Sequence, residues 1–272
     1  MSIREMILYK YVSFEAGKKI ILGNSIGFSQ TKFFNDPFDL PLYPEEDFDH
    51  AIAGMFAGLH TMAKNYIWAE NTGISSLTRT PTNPLMWAHY ANKHEGMVIG
   101  IDTVIAGLTR EESNLIPAQY GSVIYVSRRS NEPFISKPQT GLAVGATHHF
   151  PADHYEKLQR LFLHKPMCWA YEEEVRVVKC LKGVSSESSE TPSGQFKIVK
   201  VDNRDLYLLN LPPNSLKEVY LGIRADDRAS DDLFHESKKL HPLLSVYECS
   251  LDRSNLAMGF HEYMPVAGRA VP

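Results

Sequence analysis

Hydrophobic and polar residues alternate or cluster along the chain in short runs that predict strands. These runs are rich in β-branched and aromatic residues and are bounded by turn-forming residues, as strands usually are. The runs are 6–13, 74–79, 97–102, 122–126, 196–201, 216–222 and 243–249, and two further extended pieces are predicted around the Gly23-Asn24 turn in 18–29.

Other segments carry the spacing or the end signals of helices. Apolar side chains recur at near-helical intervals over 46–66 and 153–164, and a polar helix is expected near 225–240. Residues 83–96 begin with Asn83 and Pro84 and end at Gly96, which are helix start and stop signals. With no internal repeat and no clear linker, residues 1–272 are predicted to form a single α+β domain. Its core is expected to be a mixed, largely antiparallel sheet flanked by helices.

Two segments are predicted to be flexible. Residues 127–151 are polar, contain Gly and Pro and show no period, which is typical of a long loop with a functional or mobile character. Residues 183–195 are rich in Ser and Glu and are expected to be disordered or to form a flexible hairpin tip.

The segment 165–178, K-P-M-C-W-A-Y-E-E-E-V-R-V-V, is the strongest candidate for chemistry. Pro166 ends the preceding helix, and the valines favour an extended chain after it. In a strand, side chains alternate, so Glu172, Glu174 and Arg176 share one face. Such a row is either a solvated charge ladder or the wall of an active cleft, and Trp169 adds aromatic surface beside it.

Composition and charge restrict the class of protein. The chain has 272 residues, of which 43% are hydrophobic, so it can bury a substantial core. The net charge of −4 gives no nucleic-acid footprint. Three widely spaced cysteines without a CxxC indicate a reducing compartment, and no membrane span or signal peptide is apparent. A cytoplasmic location is expected.

Several motifs resemble a bacterial and phage family known as domain of unknown function 2971. They occur in the family's order over most of the chain, although Ile74-Ser75-Ser76 stands where the family usually has Cys-Phe-Ser. The family name implies no activity. The matching motifs are L-Y-K-Y (8–11), F-N-D-P-F-D (34–39), L-M-W-A-H-Y-A-N-K-H-E-G (85–96), W-A-Y-E-E-E-V-R (169–176) and V-Y-L-G (219–222).

The order of elements also resembles an ADP-ribosyltransferase fold, through a short Glu-x-Glu motif. That superfamily grips NAD with a polar residue on its first strand, matched here by Lys10, where His or Arg is usual. The resemblance implies that Ser75, Ser76 and Tyr90 lie near NAD. It implies an enzyme that consumes NAD, by transfer to an unknown macromolecular acceptor or by hydrolysis, acting as a toxin or in phage–host conflict.

Under this resemblance the catalytic residues are Glu174 and Glu172. Glu174 stabilises the positive charge that develops on the ribose when nicotinamide leaves, and Glu172 orients or deprotonates the acceptor. Tyr90 or Tyr171 stacks on nicotinamide, and Lys10 or Arg176 meets the diphosphate. Arg176 could equally neutralise Glu174 as a plain ion pair. No metal is expected for this chemistry.

Two other functions remain open from the sequence. In a metal-dependent nuclease or phosphodiesterase, the four acids Asp36, Asp39, Glu172 and Glu174 would gather around Mg²⁺ or Mn²⁺. In a non-enzymatic module, the same cleft would bind a nucleotide or a protein without turnover. The most informative structural observation is whether Lys10, Tyr90, Glu172 and Glu174 converge on one cavity.

Overall fold

The computed structural model describes residues 6–39, 69–128, 152–185 and 188–265. The helices in these ranges are α1 (Phe14–Gly23), α2 (Pro84–Tyr90), α3 (Ala152–Phe162) and α4 (Asp227–Leu240), and a 3₁₀ helix covers Met167–Glu172. The strands are β1 (Ile7–Val12), β2 (Ser25–Phe28), β3 (Thr72–Thr78), β4 (Met97–Asp102), β5 (Ile124–Val126), β6 (His164–Pro166), β7 (Glu174–Cys180), β8 (Ser189–Thr191), β9 (Gly194–Val201), β10 (Arg204–Asn210), β11 (Leu216–Leu221), β12 (Ser245–Asp252) and β13 (Ala257–Glu262).

The largest sheet has seven strands in the order β13-β12-β11-β4-β1-β3-β7. Its neighbours are antiparallel except for the parallel pair β11 and β12, which α4 connects. A second, antiparallel sheet has the order β2-β10-β9-β8, and β5 and β6 form a short parallel pair. The predicted fold class, α+β with a mixed and largely antiparallel sheet, is confirmed.

The main core lies between the two larger sheets. Ile99 and Val177 of the seven-stranded sheet belong to the same buried cluster as Phe28 and Phe196 of the four-stranded sheet. The last two rings meet edge to face with their centroids 5.9 Å apart. A second cluster on the seven-stranded sheet packs α2 against β1 and β4 through Trp87, Tyr11 and Val98. Both faces of the seven-stranded sheet are therefore buried near β1.

Several predicted boundaries were wrong for identifiable reasons. The stretch before Gly23-Asn24 is the helix α1, because Ser13 caps its start and Asn24 ends it in the left-handed conformation. The helix predicted over 83–96 stops at Tyr90, since residues 92–94 all have positive φ. The strand predicted within 165–178 begins only at Glu174, after the 3₁₀ helix and a left-handed Glu173.

Some predictions fall where the structure gives no description. The helix over 46–66 and residues 129–151 of the predicted loop lie outside the described residues, as do 186–187 of the Ser/Glu-rich segment. The described remainder of 183–195 includes β8 and the start of β9, which pair as a hairpin. The single-domain boundary of 1–272 stays a prediction.

Candidate functional site

A cavity of about 160 Å³ opens where β1 and β3 diverge. These neighbouring strands share a single registered pair, Tyr9 and Thr78, so a gap remains beside it. The polar residues that line the cavity include Lys10, Ser76, Tyr90, Lys165, Glu172 and Glu174. The structure thus brings together the four residues whose convergence the sequence left open, and adds Lys165.

The two glutamates reach the cavity by a backbone path that the strand prediction did not contain. Glu172 is the last residue of the 3₁₀ helix, Glu173 turns the chain with φ of 45°, and Glu174 is the first residue of β7. The Thr78 hydroxyl donates to the Glu172 carbonyl at 2.6 Å, and the Glu174 amide donates to the Tyr125 hydroxyl at 2.8 Å. These bonds fix the turn on both sides, and both side chains are buried.

Lys165 joins the two carboxylates. Its Nζ donates to Glu172 Oε2 at 2.5 Å and to Glu174 Oε2 at 3.0 Å, and its side chain is only 7% exposed. The ammonium also lies 5.2 Å from the centre of the Trp169 ring. Lys165 was not among the site residues predicted from the sequence. The available signal was a cation only seven residues before Glu172, at the end of a predicted helix.

Arg176 is fully used by the protein itself. Its guanidinium donates to both carboxylate oxygens of Asp39, to both of Glu174 and to the Phe162 carbonyl, at distances from 2.5 to 3.0 Å. All five N–H donors of the fork are therefore engaged. Arg176 therefore forms ion pairs with Glu174 and Asp39, and no N–H donor of its guanidinium remains for a diphosphate unless one of these bonds breaks.

Gly121 allows a neighbouring segment to cover β7 at this point. The Arg176 amide donates to the Gly121 carbonyl at 2.8 Å. A Cβ on Gly121 would lie 1.9 Å from the Arg176 carbonyl oxygen, which is a severe clash. Any residue other than glycine would therefore push the segment away from the strand that carries Glu174 and Arg176.

The surroundings push the pKa values of the two glutamates in opposite directions. Burial works against the ionised form of Glu174, but Arg176 and Lys165 outweigh it and lower its pKa to about 2. For Glu172, burial is the largest effect and raises the pKa, although Lys165 and Tyr90 act against it. Glu174 is thus held as a carboxylate, while Glu172 can exchange a proton more readily.

The predicted NAD-contacting residues divide between the cavity and its surroundings. Tyr90 lines the cavity and donates its hydroxyl to Glu172 Oε1 at 2.5 Å. Ser76 also lines it, and its side chain contributes to lowering the pKa of Glu174. Ser75 is fully buried away from the cavity, because neighbouring residues of a strand face opposite sides of the sheet. Its hydroxyl has no hydrogen-bond partner among the described residues. Tyr171 is half-buried outside the cavity, near His89 and Trp169.

Lys10 enters the gap between β1 and β3. Its Nζ donates to the Ser76 carbonyl at 3.1 Å, and no carboxylate within the described ranges forms an ion pair with it. Burial lowers its pKa to about 8, although the nearby Glu174 favours the charged form. Lys10 is therefore a mostly protonated amine at neutral pH that faces the cavity with hydrogen-bonding capacity to spare.

The four acids proposed for a metal site do not form one. Asp39 and Glu174 are bonded to Arg176, and Asp36 accepts the Phe38 amide at 2.9 Å. In the part of the chain that the structure describes, no group of three or more His, Cys, Asp or Glu side chains is arranged to hold a metal ion.

No described helix is both long enough and apolar enough to cross a membrane.

Among the comparisons with known proteins, one family model matches part of the chain, and no curated protein or solved structure matches it. Residues 86–177 match the family model described as "Protein of unknown function (DUF2971)". This range includes most of α2, Lys165 and both cavity glutamates. Neither the curated proteins nor the solved structures give a match, so the resemblance to ADP-ribosyltransferases gains no support from them.

Proposed function

We propose that the chain is an enzyme that breaks a glycosidic bond in this cavity, with the nicotinamide–ribose bond of NAD as the candidate substrate. The observation that carries the proposal is the pair Glu172 and Glu174, bridged by Lys165 Nζ but with pKa values displaced in opposite directions. Paired carboxyl groups with separated pKa values are the arrangement that glycoside-cleaving sites use to divide acid–base and electrostatic roles.

The two carboxyl groups would take different parts in the reaction. As the bond from the ribose carbon to the nicotinamide nitrogen breaks, its electron pair leaves with nicotinamide and the ribose becomes positively charged. The ionised Glu174 stabilises that charge. A water molecule or an acceptor hydroxyl then forms the new bond to the ribose carbon, and Glu172 accepts its proton.

The size of the cavity is consistent with one end of a dinucleotide. At about 160 Å³ it is smaller than the pockets of roughly 300–1,000 Å³ that enclose drug-sized ligands. The nicotinamide and its ribose would therefore occupy this space, and the remainder of NAD would lie outside it. Lys10, charged at neutral pH, lies at the edge where the strands diverge.

The proposal is tested by incubating the purified chain with NAD and measuring released nicotinamide by chromatography. Glu174→Gln should reduce release by about 10²- to 10³-fold, and Glu172→Gln by about 10²- to 10⁴-fold. Glu173→Gln is the matched control, because this exposed residue lies between the two and undergoes the same chemical change. No release by the unmodified chain, or equal release by all three variants, would overturn the proposal.

One observation favours a nucleotide-binding module as the second candidate. Both oxygens of Glu174 already accept hydrogen bonds from Arg176 and Lys165, as in an ion-pair network that only holds the fold together. Such a module would bind NAD, seen as a rise in melting temperature, and would release no nicotinamide. The activity measurement above separates the two candidates.

A further inference from the structure

A second cavity of about 270 Å³ adjoins the first. Lys165 lines both, and Phe38 of the second directly precedes Asp39 of the first. The two spaces are therefore neighbours across a single lysine side chain. The second lies at the carboxyl ends of β5 and β6, where Val126 pairs with Pro166 and the chain continues into Ser127 and Arg128.

The lining of this second cavity is basic, in contrast to the first. Arg128, His164 and Lys165 line it, and no acidic residue is among its described lining residues. Arg128 is exposed, and within the described ranges no carboxylate forms an ion pair with it. The overall charge of the chain is −4, so this concentration of basic side chains is a local feature.

Lys165 lies between the acidic first cavity and the basic second cavity and lines both. Its ammonium group donates two hydrogen bonds to the glutamates of the first cavity, out of three N–H donors. An anion in the second cavity would lie among lining residues that include Lys165 and Arg128, whose guanidinium carries forked donors. Guanidinium and ammonium groups together with a serine hydroxyl are the groups by which proteins hold phosphate.

We propose that the second cavity binds the phosphate groups of a nucleotide whose sugar occupies the first cavity. The assignment of the sugar rests on the proposed function, whereas the phosphate site rests on the basic lining alone. A substrate made of a ribose attached to a diphosphate matches two adjoining spaces, one acidic and one basic. This defines the substrate class as nucleotide glycosides and not free nucleosides or neutral sugars.

The test measures binding in a background without turnover. In Glu174→Gln protein, and in Glu172→Gln protein if the first fails to fold, calorimetric titration with ADP-ribose should give saturable binding, and ribose should bind far more weakly. Arg128→Gln should raise the Kd for ADP-ribose about tenfold, the effect of losing one charge-assisted contact. Arg228→Gln, an exposed arginine on α4, should leave the Kd unchanged.

The outcomes separate this inference from the proposed function. ADP-ribose that does not bind, or that binds equally well to Arg128→Gln, overturns the phosphate site even if NAD is cleaved. Binding that depends on Arg128 supports the site even if the unmodified chain releases no nicotinamide. Inorganic pyrophosphate that binds as tightly as ADP-ribose would overturn the joint assignment of sugar and phosphate, because the first cavity would then contribute nothing.

Discussion

Arg176 and Asp39 are joined by two parallel hydrogen bonds, from Nη1 to Oδ1 at 2.6 Å and from Nη2 to Oδ2 at 2.5 Å. The two residues are 137 positions apart, and both are buried. The same guanidinium also holds Glu174. One side chain thus ties the F-N-D-P-F-D segment to β7 and fixes the charge of a cavity glutamate.

Replacing Arg176 by Met should destabilise the fold strongly. Asp39 would remain buried without a cation and Glu174 would keep only Lys165, and breaking such a buried pair typically costs about 3–5 kcal/mol. The free energy of unfolding, measured by urea denaturation with tryptophan fluorescence, should fall by that amount. Arg79→Met removes an exposed arginine that bonds Ser122, and should change it by about 0.5 kcal/mol or less. A loss below about 1 kcal/mol for Arg176→Met would contradict this account of the pair.

The sheet was predictable from the sequence because strand signals are local. The runs at 97–102 and 216–222 appear as β4 and β11 within a residue of their predicted ends. The helix α1 was missed because Ile20 and Ile21 resemble a strand, whereas the caps at Ser13 and Asn24 and the burial of both isoleucines favour a helix. Local propensity was outweighed by capping and packing.

The candidate site was predicted in part, and for a partly wrong reason. Strand alternation placed Glu172 beside Glu174, but the chain turns at Glu173 and the two meet through Lys165. Asp39 was predicted only as a metal ligand, since its pairing with Arg176 spans 137 residues. Such contacts depend on tertiary structure, which spacing along one chain does not determine.

Glu174 should make stability depend on pH in the acidic range. Its pKa is lowered from 4.5 to about 2 in the folded chain, so its ionised form stabilises the fold above pH 4.5 by about 3 kcal/mol. This contribution is lost as the pH falls from about 4.5 towards 2. The raised pKa of Glu172 has the opposite sign, because its protonation favours the fold as the pH falls.

The measurement compares urea denaturation of the unmodified chain and Glu174→Gln at about pH 7, pH 5 and pH 3. The difference in unfolding free energy between them should shrink mainly below pH 5. Glu173→Gln, whose side chain is exposed, should follow the unmodified chain throughout. A difference that stays constant down to pH 3 would show that Arg176 and Lys165 do not hold Glu174 ionised.

Tyr90→Phe separates the hydroxyl of Tyr90 from its ring. The hydroxyl bonds Glu172 Oε1 and lowers the pKa of that glutamate, so its loss should raise this pKa further. The acidic limb of the pH–rate profile for nicotinamide release should move to higher pH, with a rate loss of about tenfold at neutral pH. Tyr171→Phe, outside the cavity, should leave the profile in place. An unmoved limb in Tyr90→Phe would remove Glu172 as the titrating base.

Lys10 should make nucleotide binding sensitive to pH on the alkaline side. Its pKa is lowered to about 8, so its positive charge is lost as the pH rises through about 8, with Glu174 as the nearby opposing charge. ADP-ribose binding to Glu172→Gln protein, which retains the Glu174 charge, should weaken over this range. Lys10→Arg should bind evenly across it, because arginine stays charged. Equal pH dependence in both forms would place the titrating group elsewhere.

Ser75 and Ser76 offer a test with neighbouring residues and the same substitution. Ser76 lines the cavity and its side chain helps to lower the pKa of Glu174, so Ser76→Ala should lower nicotinamide release about tenfold. Ser75 is fully buried on the other side of β3, and its hydroxyl has no partner among the described residues. Ser75→Ala should therefore leave release unchanged and stabilise the fold by up to about 1 kcal/mol, because an unsatisfied polar group is removed. Both variants are assayed for nicotinamide release and for unfolding free energy by urea denaturation. A Ser75→Ala variant with impaired release but normal stability would show that the wrong face of β3 has been assigned to the substrate.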